Sequence, residues 1–146
     1  MLKRSRRLQP VKDLAGQHER QQATRVAEAE RRLAEAERRL MELQRYRLEY
    51  EQGFRARATA GAPMRGLRDQ QVFIARLSEA IVTQQGVVEQ LRSDCSQARS
   101  QWRAAATRKQ AVGKVVEHAN LEESKMEDRR QQSESDERAQ RQLVSR

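Results

Sequence analysis

From Leu67 to Met126 the chain repeats one pattern at alternating steps of three and four. The positions met are Leu67, Gln70, Ile74, Leu77, Ile81, Gln84, Val88, Leu91, Cys95, Ala98, Trp102, Ala105, Lys109, Val112, Val116, Ala119, Glu123 and Met126. Fourteen of these eighteen are apolar, and mostly Arg, Gln, Glu, Ser and Ala lie between them. An apolar seam every 3.5 residues on average, held this long, predicts a helix wound around a partner helix.

A second seam supplies that partner within the same chain. Val26, Ala29, Leu33, Ala36, Leu40, Leu43, Arg47 and Tyr50 follow the same spacing. Carried backward it meets Gln22, Glu19, Ala15, Lys12 and Leu8, a more polar series that predicts looser packing. The surrounding residues are good helix formers, Ala, Glu, Arg, Gln and Leu. Between the two seams Gly53, Gly61, Pro63 and Gly66 cluster, which ends one helix and permits a reversal. Pro10 lacks a backbone N–H and belongs in or before a first helical turn. The expected domain is therefore a single one over residues 1–146. Its first helix runs over about 7–57, its turn over about 58–66 and its second helix over about 67–140.

The fold class expected is all-α, a long antiparallel two-helix coiled-coil hairpin. Its register follows from arithmetic. A turn centred near Ala62 pairs residues whose numbers sum to about 124. Tyr50 then meets Ile74, Leu43 meets Ile81, Ala36 meets Val88, and Leu33 meets Leu91. Each pair joins an a to a d heptad position, so turn and heptads agree without being fitted to each other. Gln22 faces Trp102, and Leu8 faces Val116. Beyond about Ala119 the second helix is expected to overhang, reaching roughly 110 Å against roughly 75 Å for the first.

Composition narrows what such a rod can do. Charged residues make up 35% and aromatics 3%, enough to fill a seam and too little for a wide core. The net charge of +9 suits nucleic acid, an anionic surface or an acidic protein. A lone Cys95 fits a reducing compartment, where on a seam it acts as a small packing residue. The basic N-terminus is followed by no apolar signal core, and no apolar run is long enough to span a bilayer. A cytoplasmic location is expected.

No catalytic or cofactor chemistry is suggested. His18 and His118 lack a distinctive set of neighbouring ligands, no phosphate loop occurs, and a two-helix rod offers no cleft. Catalytic, cofactor and metal sites are expected to be absent. Two basic groups are less balanced by acids: Lys3, Arg4, Arg6 and Arg7, and then Arg92, Arg99, Arg103, Arg108, Lys109 and Lys114. Both collect toward the open end of the hairpin. Without interleaved aromatics, specific base recognition is not expected. The aromatics gather instead at the turn end. In the expected register Leu43, Tyr46, Tyr50, Phe73, Leu77 and Ala80 form one patch, with Arg39 and Gln84 continuing its faces. Its simplest reading is a cap on the seam; exposed rings there also make a contact surface.

With these residues in view, the chain resembles the flagellar export protein FliJ family. The resemblance rests on RLQPVKDLA (Arg7–Ala15), LQRYRLEY (Leu43–Tyr50), QQVFIARLSEAIVTQQ (Gln70–Gln85), SQWRAAATRKQA around Trp102 and DERAQRQ near the C-terminus. It implies a non-catalytic component of the flagellar type III export apparatus, lying at the inner membrane peripherally. It implies three partners: the ring of the export ATPase FliI, the export gate protein FlhA, and export chaperones. By resemblance, Arg4, Arg6, Arg7 and Lys12 face the ATPase. Leu43, Tyr46, Tyr50, Phe73, Leu77 and Ala80 face the gate. An injectisome stalk protein of the same fold, and a basic nucleic-acid-binding coiled coil, are the alternatives.

Overall fold

The computed structural model describes residues 3–145. Two helices make up the chain, α1 (Arg4–Thr59) and α2 (Met64–Val144), and no strand occurs among the described residues. They pack antiparallel as an all-α hairpin. The chain divides into two compact units, each built from a piece of both helices. The hairpin unit is Ala23–Gln101, and the terminal unit is Met1–Gln22 with Trp102–Arg146.

The turn is tighter than its glycines suggest. Only four residues separate the helices, and Gly53 and Gly66 are helical. Gly61 alone takes a left-handed backbone, φ +79°. Its N–H donates to Ala58 O at 3.2 Å, and the Ala62 N–H donates to Arg57 O at 3.0 Å. These two bonds form a Schellman motif, which satisfies carbonyls that the last helical turn leaves open. Pro63 follows, where its missing N–H costs nothing, and its carbonyl accepts from the Leu67 N–H at 3.2 Å.

At the other end α1 begins at Arg4, ahead of the expected start, and Pro10 lies inside the helix. The Arg7 N–H donates to Lys3 O at 3.1 Å, so a regular turn precedes the proline. Pro10 therefore gives up one backbone bond within the helix instead of marking its first turn. α2 also outlasts its expected end. From residue 128 onward every described residue is exposed, and the segment stays helical to Val144. Arg130 lies 2.8 Å from Glu127 and 4.0 Å from Glu134, and Gln132 donates to Asp136 at 3.2 Å. Such pairs support an unpartnered helix by a few tenths of a kcal/mol each, about 0.2–0.5.

The core is the predicted seam. In the hairpin unit Ala36, Ile81, Val88 and Cys95 are buried; in the terminal unit Ala15, Gln22, Ala105, Val116 and Ala119 are. On α2 every seam position is at least partly buried except Lys109 and Met126. On α1, Lys12 and Tyr50 are exposed, and partial burial passes from Arg47 to Glu51 and Phe54. The steps Leu43–Arg47–Glu51 are two fours in succession. A straight helix drifts against a strict heptad, and this is where the drift is absorbed.

Candidate functional site

In the hairpin unit the two flanks of the seam differ. One is closed by ion pairs across the helices: Arg92 lies 3.6 Å from Glu37, and Arg99 lies 3.0 Å from Glu30. Glu37 and Ser78 on this flank are half-buried. The other flank carries Tyr46 and Arg39 from α1, and Phe73, Ala80 and Val87 from α2, all exposed. Heptad logic puts these at g positions, which share one side of an antiparallel pair.

The aromatic patch is built on this open flank. Tyr50 and Phe73 stack with ring centroids 4.7 Å apart and planes tilted by 59°, a favourable offset geometry. Tyr46, Tyr50 and Phe73 remain 46%, 43% and 43% exposed. Leu43 and Leu77 beneath are half-buried, and Ala80 is exposed. The structure thus joins α1 and α2 through the Tyr50–Phe73 contact, with Tyr46 one helical turn from Tyr50. Gln84 ties the helices together instead, its Nε2 donating to the Ala36 carbonyl at 3.0 Å.

The terminal unit holds the N-terminal basic residues. Arg4, Arg6, Arg7 and Lys12 are all exposed, and none forms an ion pair among the described residues. The basic run on α2 is less free than its sequence suggests. Arg92 and Arg99 are paired in the hairpin unit, and Lys109 lies 3.8 Å from Glu19 in the terminal unit. The acids come from α1, which a reading along α2 alone overlooks.

Sequence reasoning also missed two polar links in the terminal seam. The Trp102 Nε1–H donates to Glu19 Oε1 at 3.0 Å, while Glu19 Oε2 faces Lys109. Near the helix start, Glu123 accepts from the Ser5 backbone N–H at 3.0 Å and from its hydroxyl at 2.6 Å. A carboxylate of α2 thereby caps the N-terminus of α1, where open N–H groups and the helix dipole favour negative charge. The Ser5 hydroxyl, then the Ser5 N–H and finally the charge of Lys3 hold the Glu123 carboxyl below its ordinary value, against an opposing effect of burial. A partial signal was available: Glu19 and Glu123 are acids at seam positions, within one helical turn of Trp102 and Ser5 in the expected register.

No cluster of three or more metal-binding side chains occurs among the described residues, and no helix there is long and apolar enough to cross a membrane. The family model described as Flagellar FliJ protein matches residues 4–146. No curated relative and no solved structure matches the chain.

Proposed function

The chain belongs to the flagellar FliJ protein family and is a component of the flagellar export apparatus; from that premise we propose that it works there as a non-catalytic, cytoplasmic coupling element. In this reading its terminal unit contacts the ring of the export ATPase FliI through Arg4, Arg6, Arg7 and Lys12. Its hairpin unit offers Leu43, Tyr46, Tyr50, Phe73, Leu77 and Ala80 to the export gate protein FlhA. Export chaperones are handed over on the same molecule, which associates with the membrane machinery only peripherally.

The observation that carries the proposal is the family match over nearly the whole chain. The exposed, stacked Tyr50–Phe73 pair supports the gate assignment, because half-exposed rings are unusual on a solvated flank and common in contact surfaces. Four unpaired cations support the assignment of the basic end to an acidic surface. A nucleic-acid role is less well supported, since Arg92, Arg99 and Lys109 already face carboxylates. The flagellar description of the family favours the flagellum over the injectisome.

Binding measured with the purified full-length chain tests this. Tyr46→Ala with Phe73→Ala is expected to weaken binding to the soluble part of FlhA by tenfold or more, about 1.4 kcal/mol. Helicity and binding to FliI are expected to stay as they were. Loss of the helical signal in the double variant would make the rings part of the core and end the gate assignment.

A further inference from the structure

The turn end of the hairpin unit carries charge that neither the seam nor the aromatic patch uses. Between Gln52 and Ser78 the chain has five arginines and a single acid, Asp69. Four of the arginines, Arg55, Arg57, Arg65 and Arg68, lie within four residues of the helix ends at Thr59 and Met64. Along either axis that is within about 6 Å of the turn. All four are exposed, and none forms an ion pair among the described residues. The turn itself is small and uncharged, Ala60, Gly61, Ala62 and Pro63, and Met64 beside it is 67% exposed. The Cα–Cβ bonds of α2 tilt toward its N-terminus, which is the turn, so Met64, Arg65 and Arg68 lean toward the apex. No acid occupies the first turn of α2 to offset them.

We propose that this apex docks onto an anionic lipid surface. The arginines meet headgroup phosphates, while Met64 and the small turn residues enter the headgroup layer. The placement of the charges selects a plane met end-on. Arg55 and Arg57 are two residues apart, about 200° around α1, so no single flank of that helix presents both. Arg65 and Arg68 are three apart and share one face of α2. The surface within reach of all four is the end of the hairpin unit. Each arginine near an anionic leaflet favours binding by about fivefold. An exposed apolar side chain among those cations adds to this by leaving water.

The same features disfavour other occupants. A partner helix or a nucleic-acid strand runs along a flank and would leave Arg55 or Arg57 unused. No aromatic ring lies between Arg55 and Asp69 to stack on bases, and nucleic acid gains nothing from Met64. A second copy of the apex would bring arginine against arginine. The inference gives the peripheral membrane association proposed above a lipid contact of its own, and it uses no residue assigned there to the ATPase or the gate.

The test is flotation of the full-length chain with phosphatidylcholine vesicles, with or without phosphatidylglycerol. Binding to the anionic vesicles is expected to be at least about tenfold tighter than to the neutral ones, and to weaken with salt. Arg55→Gln, Arg57→Gln, Arg65→Gln and Arg68→Gln combined should weaken it by about a hundredfold or more. Arg4→Gln, Arg6→Gln, Arg7→Gln and Lys12→Gln combined remove the same charge from the other unit and should weaken it by less than about fivefold. Met64→Ser keeps the charge and should weaken it by about threefold. All these side chains are exposed, so helicity by circular dichroism is expected to be unchanged. Equal affinity for the two kinds of vesicle, equal loss from the two charge variants, or indifference to Met64→Ser overturns the proposal. So does tighter binding of a DNA duplex or of polyglutamate through the same four arginines, which would assign the apex to nucleic acid or to an acidic protein. Binding of the apex variants to the soluble part of FlhA is expected to stay as it was, so failure of the lipid contact and failure of the gate assignment are read separately.

Discussion

The two units pair the same two helices by different means. In the hairpin unit the seam carries Leu33, Leu40 and Leu43 on α1 and Ile74, Ile81, Val88 and Leu91 on α2, all at least partly buried, and the ion pairs across the helices lie on one flank. In the terminal unit Leu8, Trp102, Val112 and Val116 share the seam with more small or polar residues: Lys12, Ala15, Glu19 and Gln22 on α1, Ala105, Lys109 and Glu123 on α2. There the helices are joined by directional bonds, Ser5 to Glu123 and Glu19 to Trp102. Gln22 is buried with its Oε1 lacking a hydrogen-bond partner among the described residues. Apolar burial is strong and indifferent to direction. Hydrogen bonds add less net stability and demand one geometry. The hairpin unit is therefore expected to be the more stable, and the terminal unit the more exact in register and the easier to open.

The largest effect should come from breaking the apolar side of this comparison. Ile81 is 2% exposed, so Ile81→Ala removes buried methyl groups and leaves a cavity, at about 3 kcal/mol. Urea unfolding should show the loss, and hydrogen exchange should place it in the hairpin unit. A smaller effect is expected from Glu19→Ala. It strands the Trp102 N–H and leaves Lys109 unpaired, at about 1–2 kcal/mol, while the helix propensity of the site barely changes. Glu19→Gln, which keeps an acceptor for the indole, should recover part of that. If Glu19→Ala costs as much as Ile81→Ala, the terminal unit is not the weaker of the two.

Spacing made most of the architecture legible. The seam of α2 is buried nearly as its heptads require, because one apolar residue every three or four positions leaves a helix a single face to bury. Cross-links such as Arg92–Glu37, Trp102–Glu19 and Tyr50–Phe73 join residues whose numbers sum to between 121 and 129, close to the expected register. What the sequence hid were events needing two helices at once. Pro10 argues locally for a late start to α1, yet the helix begins at Arg4, its first turn capped by Glu123 from the far end of the chain. Half of the basic run on α2, Arg92, Arg99 and Lys109, looked unbalanced because its acids lie on α1. For the aromatic patch, the flank was legible from heptad positions. The shift of burial from Tyr50 to Glu51 and Phe54 was not, since it depends on where the helix absorbs its drift.

The smallest effect expected is also the most specific to the terminal unit. Glu123 is held below its ordinary value of 4.5, first by the Ser5 hydroxyl and next by the Ser5 N–H. Folding therefore favours the ionised carboxylate. The cap contributes in full above pH 4.5, the value in the unfolded chain, and is lost as pH falls through the lower folded value. Exchange of the first amides of α1 should accelerate over that acidic window, while amides around Ile81 provide the internal reference. Ser5→Ala removes the hydroxyl donor, so its window should move up toward 4.5 and the change should shrink, with the backbone N–H still bound. Glu123→Gln should fray the same amides at neutral pH and remove the pH dependence there. If acid loosened the amides around Ile81 in parallel, the cap would be coupled to the apolar seam, and the division of labour between the two units would fail.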